Sequence, residues 1–186
     1  QTLGSKALAA VGASSSVQFL ILGFCMGICQ GFAIMVSQSY GAKRPDEMHT
    51  YIYAGAIWTA ITAFVVSIFV VVFCADILHI LQVNDEIFND AYAYLVVIFL
   101  GIPFTLLYNY LSAILRAIGD SKTPFFFLAF SAFLNIGLDF FCILVLKWGC
   151  AGAAIATIFA QAVSGILCLL LIAFKVNILH IPKSSR

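Results

Sequence analysis

The chain has 186 residues, 63% of them hydrophobic and only 9% charged, with a net charge of +1. Soluble domains carry about 25% charged residues, so no soluble core could hide this much apolar surface, and the solvent must be lipid. No basic cluster interleaved with aromatics is present, so no nucleic-acid partner is expected.

Five stretches, each of roughly 20 residues or more and nearly free of charge, predict an all-α integral membrane protein. The predicted transmembrane helices cover about 14–40, 51–75, 91–115, 124–146 and 151–174. Continuous apolar runs argue against a membrane barrel, whose strands would alternate over about ten residues. The sequence starts at Gln1 with neither an initiator Met nor a signal peptide, so it reads as part of a longer chain.

In the first helix Gly23, Gly27 and Gly31 recur every four residues. That spacing either lets a second backbone approach closely or lines a path. Gln30 and Gln38 lie on the same helix. The turn Gly41–Met48 places Lys43 and Arg44 at one helix end, and Pro45, Asp46 and Glu47 at the next helix start, in accord with the helix dipoles. Trp58 of the second helix reads as core. The acidic connection from Asp76 to Asp90 contains Ile77-Leu-His-Ile-Leu81, an amphipathic extension in pattern. Pro103 follows Gly101 in the third helix and should kink it, because it removes a backbone donor. Tyr94, Tyr108 and Asn109 share that helix, and Gln161 belongs to the fifth. Gln30, Tyr108, Asn109 and Gln161 are candidates to line a substrate cavity.

Alternating helices put Lys43, Arg44, Arg116, Lys122, Lys175, Lys183 and Arg186 on one side and only Lys6 and Lys147 on the other. The positive-inside rule makes the first side cytoplasmic and Gln1 external. Five spans with an external start lead to the expectation of one further helix upstream. Trp148 reads as an interfacial anchor. His49, His79 and His180 all fall near membrane borders. The six cysteines show neither a CxxC pair nor a metal-ligand spacing, and read as small lipid- or helix-facing residues.

The fourth helix is apolar nearly throughout, yet it carries Asn135 and, one turn later, Asp139. A carboxylate at membrane depth costs several kcal/mol unless it faces protein or water, and so marks a candidate proton or cation site. The alternative is that both residues join helices. Counting from the tight turn Lys147–Gly152, Asp139 lies roughly 12 Å below the outer end and Thr157 roughly 8 Å, which puts them at similar depth with Asn135 a turn deeper. A carboxylate, an amide and a hydroxyl can hold Na⁺ or share a proton with water. Soluble-enzyme signatures are missing, namely Gly-x-Ser-x-Gly, the Walker loop, His-Glu-x-x-His and the dinucleotide fingerprint. An intramembrane enzyme would need two or more acids at this depth, and only Asp139 qualifies. A purely structural subunit has no use for it.

Several segments carry a resemblance. Gly4-Ser-Lys-Ala-Leu-Ala-Ala-Val-Gly12 and Gly27-Ile-Cys-Gln-Gly-Phe-Ala-Ile-Met-Val-Ser-Gln-Ser-Tyr-Gly-Ala-Lys43 resemble the second helix of multidrug and toxic compound extrusion (MATE) transporters. Leu115-Arg-Ala-Ile-Gly-Asp-Ser-Lys-Thr-Pro124 is similar to that family's link between helices four and five. Asn135-Ile-Gly-Leu-Asp139 and Gly152-Ala-Ala-Ile-Ala-Thr157 are similar to its fifth and sixth helices.

The resemblance implies a partial N-terminal lobe over 1–186, helices two to six of a twelve-helix, two-lobed protein, with helix one and the C-terminal lobe supplied by the rest of the chain. It implies a multi-pass protein of the plasma membrane, the bacterial inner membrane in particular, that exchanges H⁺ or Na⁺ for small organic, often cationic, compounds and uses no cofactor. It further implies a coupling-cation site of Asp139, Asn135 and Thr157, with Tyr94 as a further member and Na⁺ at Asp139 as the one metal ion to expect. The alternative within the same superfamily is a lipid-linked oligosaccharide flippase. Such a flippase would put basic residues in its cavity, and the apolar helices here hold none.

Overall fold

A computed structural model describes residues 5–80, 83 and 85–175 of the chain. In order the elements are α1 (Ser5–Gly41), α2 (Pro45–Val72), α3 (Cys74–Ile80), α4 (Asp85–Leu100), α5 (Ile102–Ala117), α6 (Lys122–Phe140), a π-helical segment (Phe141–Val145) and α7 (Gly149–Lys175). Ser15–Gly41, Pro45–Val72, Lys122–Val145 and Ala151–Ala173 are each long and apolar enough to cross a bilayer. The α4–α5 pair, bent by 47°, brings the number to five when counted as one broken span. The architecture is an all-α membrane bundle. Lys183, Arg186 and His180 lie outside the described residues.

The helices pack through narrow stripes. On α1 the buried positions Cys25, Cys29 and Val36 share one face, and they meet Leu95 and Phe99 of α4 and Leu106, Ile114 and Leu115 of α5 in a common core. Lipid tails are as apolar as leucine, so close side-chain packing holds such helices together, not escape from the solvent. Cys25, Cys29, Cys74, Cys142 and Cys168 are all buried free thiols.

The stretch expected as one helix over 91–115 is two helices, and the structure supplies the reason. Pro103 has no N–H to give the Phe99 carbonyl, and the Ser67 hydroxyl of α2 donates to that carbonyl instead, at 2.6 Å. This is how a membrane helix tolerates proline: a neighbouring hydroxyl pairs with the freed backbone group. At Gly101 a Cβ would lie 2.3 Å from Cγ1 of Ile158, so α7 occupies the inside of the bend.

The connections are short and capped. Lys43 takes a left-handed φ of 57°, and Arg44 pairs with Glu47 at 3.3 Å on the exposed first turn of α2. Between α5 and α6, Gly119 adopts φ 91°. Asp120 Oδ1 then accepts the Lys122 and Thr123 backbone N–H groups at 3.1 and 3.0 Å. The Thr123 hydroxyl and these amides hold the Asp120 carboxyl below its ordinary pKa. Ile77–Ile80 belong to α3, and Leu81 lies outside the described residues.

Two expectations about helix faces are corrected. Trp58, expected in the core, is 58% exposed, because α2 turns Gly55, Thr59 and Ala63 inward instead. Gly23, Gly27 and Gly31 have nothing within 4 Å of an added Cβ, so they make no close backbone crossing among the described residues. Their stripe is the open face of α1, opposite Cys25 and Cys29.

Candidate functional site

The site is built where α6 and its π-helical extension run antiparallel to α7. The α-helix gives way after Phe140, one residue beyond Asp139, and Leu146 N–H bonds back to the Phe141 carbonyl at 3.2 Å, five residues earlier. Such π turns interrupt α-helices most often at functional positions. The turn to α7 is tight: Lys147 has φ 55° and Trp148 N–H donates to the Cys142 carbonyl at 3.1 Å. A Cβ on Gly152 would lie 3.2 Å from Cys142 Cβ, so the small residue lets the π segment rest on α7.

Asn135 Nδ2 donates to Thr157 Oγ1 at 3.2 Å, and that hydroxyl donates to the Ala153 carbonyl at 3.0 Å. The threonine thus accepts from the amide while bonding its own helix, which fixes both rotamers. Asp139 sits one turn nearer the α6–α7 connection. Its Oδ1 is buried and has no hydrogen-bond partner. The side chain borders a cavity of about 270 Å³ with Ile136, Phe140, Ile143 and Leu144. An acceptor buried without a donor costs free energy until a proton, a cation or water reaches it.

This register corrects the depth estimate. Thr157 is bonded to Asn135, one helical turn from Asp139, instead of lying level with Asp139.

The other candidates separate. The Tyr94 hydroxyl donates to Gln18 Oε1 of α1 at 3.3 Å and ties α1 to α4. Gln18 was not singled out in the sequence, where one glutamine among apolar residues carries no signal of its partner. Tyr108, expected to line a cavity, is buried, and its hydroxyl donates to the Pro124 carbonyl of α6 at 3.1 Å. Asn109 Nδ2 donates to the Thr105 carbonyl at 2.7 Å, so both side chains are occupied by backbone. Gln30 is exposed on the open face of α1. Gln161 is half-buried on α7, and its Oε1 has no partner.

With this geometry in hand, comparison with known proteins assigns the family. Residues 1–141 match the MatE family model. The "Probable multidrug resistance protein YoeA" of Bacillus subtilis (strain 168) is 29% identical over 99% of this chain and 41% of its own length. The "Probable multidrug resistance protein YpnP" of the same organism is 35% identical over 87% of this chain and 36% of its own. A solved structure titled "Outward-facing conformation of a multidrug resistance MATE family transporter of the MOP superfamily" superposes with a TM-score of 0.92 at 23% identity. It matches 98% of this chain and 41% of that one. The chain therefore spans about two fifths of the length of the curated relatives it matches. The chain belongs to the MatE family, whose members are multi-pass transporters of the plasma membrane and not enzymes.

Proposed function

We propose that the chain is part of the N-terminal lobe of a secondary active transporter that exports small organic compounds, cationic ones included, in exchange for H⁺ or Na⁺. The remaining helices of the lobe and the second lobe belong to the same polypeptide in this reading, since its relatives run to more than twice the matched length. The names of the two Bacillus relatives, both called probable multidrug resistance proteins, favour drug-like substrates.

One observation carries the reading. Asp139 places a carboxyl oxygen at membrane depth with no partner, one turn from the Asn135–Thr157 pair. A structural acid would be paired, because breaking or omitting the partner of a buried charge is costly. An acid that loads and unloads a cation must have its coordination open in part of the cycle. Asp139, Asn135 and Thr157 together supply the oxygen ligands that Na⁺ requires, or a proton acceptor beside two orienting groups. Tyr94, bonded to Gln18, acts in this reading as a brace between α1 and α4.

The flippase alternative finds less support. Among the described residues Lys43, Arg44, Arg116, Lys122 and Lys147 lie at helix ends or in turns, and none of them is at mid-membrane to meet a pyrophosphate. The test is dye efflux from inside-out vesicles holding the full-length protein, with H⁺ and Na⁺ gradients imposed separately. Uptake driven by one gradient supports the antiporter and names the ion. Uptake indifferent to both, with lipid-linked oligosaccharide translocation intact, would reject it.

A further inference from the structure

Asp139 is not isolated. On α6, Asp139, Asn135 and Ser131 recur every four residues and share a face. On α7, Thr157, Gln161, Ser164 and Cys168 follow at intervals of four, three and four, again one face. On α5, Tyr108, Ser112 and Arg116 repeat every four. The three stripes converge. The Asn135–Thr157 bond sets α6 against α7, and an antiparallel step of four on each helix brings Ser131 level with Gln161. Backbone N–H of Tyr108 lies 3.5 Å from where a Cβ on Gly165 would stand, which places α5 against the next turn of α7. The Tyr108 hydroxyl closes the triangle on the Pro124 carbonyl of α6.

This polar seam starts at Asp139 and ends at Arg116 and Asp120, on the side that the basic residues mark as cytoplasmic. Three of its oxygens, on Asp139, Gln161 and Ser164, are buried without hydrogen-bond partners. Apolar residues of similar volume would pack such a seam at no such cost. Buried polar groups left open by protein are the ordinary binding sites of internal water.

We propose that the α5–α6–α7 seam takes up a file of water that connects Asp139 to the cytoplasmic border near Arg116 and Asp120. The Asp139 carboxyl gives its proton to this file or receives one from it, with no other bond made or broken. The titratable groups along the way are Tyr108 and Cys168, and neither needs to change charge for water to relay a proton. The role given to the file rests on the coupling function proposed for Asp139, but its hydration does not.

X-ray radiolytic labelling of the full-length protein in lipid nanodiscs, read by mass spectrometry, separates the two. Cys168 follows Ser164 by one turn on the seam, whereas Cys25 lies on α1, off it; both are buried in the apolar core at 0% exposure, so burial alone makes their oxidation rates equal. The expected result is that Cys168 is oxidised several-fold faster than Cys25, and that Gln161→Leu brings Cys168 down to the Cys25 rate. Equal rates in the unaltered protein would overturn the proposal even if Asp139→Asn abolished coupling. A fast Cys168 that Gln161→Leu leaves unchanged would also overturn it, since the water would then come by another route. Should Gln161→Leu fail to fold, the comparison within the unaltered protein decides.

Discussion

The bend between α4 and α5 gives a sharp test of how packing shapes this lobe. In Gly101→Ala the new methyl carbon would stand 2.3 Å from Cγ1, 2.5 Å from Cδ1 and 3.0 Å from Cγ2 of Ile158. Ile158 is β-branched and stiff at χ1, so moving only the end of its side chain cannot clear all three contacts. Overpacking of this kind costs about 1–3 kcal/mol. Removing the obstacle should cancel the cost. Ile158→Ala alone loses packing worth about 2–5 kcal/mol. In the double variant the alanine methyl occupies part of the vacated space, so the two losses should sum to less than their total. Thermal unfolding in detergent, followed with a thiol-reactive dye on the buried cysteines, measures all four proteins. A coupling of about 1 kcal/mol or more in the rescuing direction is expected for residues in such contact. Strict additivity, or a Gly101→Ala protein as stable as the parent, would refute the claim that Ile158 fills the bend.

Further outcomes follow from the same geometry. Ser67→Ala leaves the Phe99 carbonyl buried without a donor, since Pro103 has none to give; a loss of about 1–3 kcal/mol is expected in the same melt, and Ser67→Thr should retain most of it. Asp120→Ala removes the acceptor that caps α6 and should cost about 1 kcal/mol near neutral pH. Because folding lowers the Asp120 pKa, its contribution is complete above the unfolded value of about 3.9 and fades as pH falls through the lower folded value. The gap between wild type and Asp120→Ala should therefore narrow only in that acid range, which melts across a pH series would register.

How far the sequence could be read depended on what marks a helix face. Spans were plain, because hydrocarbon requires long runs without charge, and the Gly101–Pro103 pair announced its bend through the missing N–H. The inward face was not plain. A helix apolar on all sides carries no polar stripe to mark its outside. Trp58, which its depth in the helix places in the core, is exposed, and of the two roles open to Gly23, Gly27 and Gly31 the described residues show no close backbone crossing. The π-helical segment left no local signature, since Phe-Cys-Ile-Leu-Val reads the same in either helix. It follows Asp139 directly, and the bond that Thr157 makes goes to Asn135, a turn away from the carboxylate. Asn135 and Asp139 were visible as candidates because polar atoms are rare in lipid. Which of them would meet the Thr157 hydroxyl depended on helix ends that composition does not mark. Gln18, Ser112 and Ser164 escaped notice singly, and only the packing of three helices shows that the serines belong to one seam.

The account stands most directly on Asp139. In the full-length transporter, Asp139→Asn keeps the size and most of the polarity of the side chain but removes the group that exchanges a proton or binds a cation. Purified and reconstituted, the variant should insert and fold as the parent does, yet lose gradient-driven dye accumulation and the accompanying ion countermovement together. Accumulation that still follows the ion gradient in Asp139→Asn would contradict it.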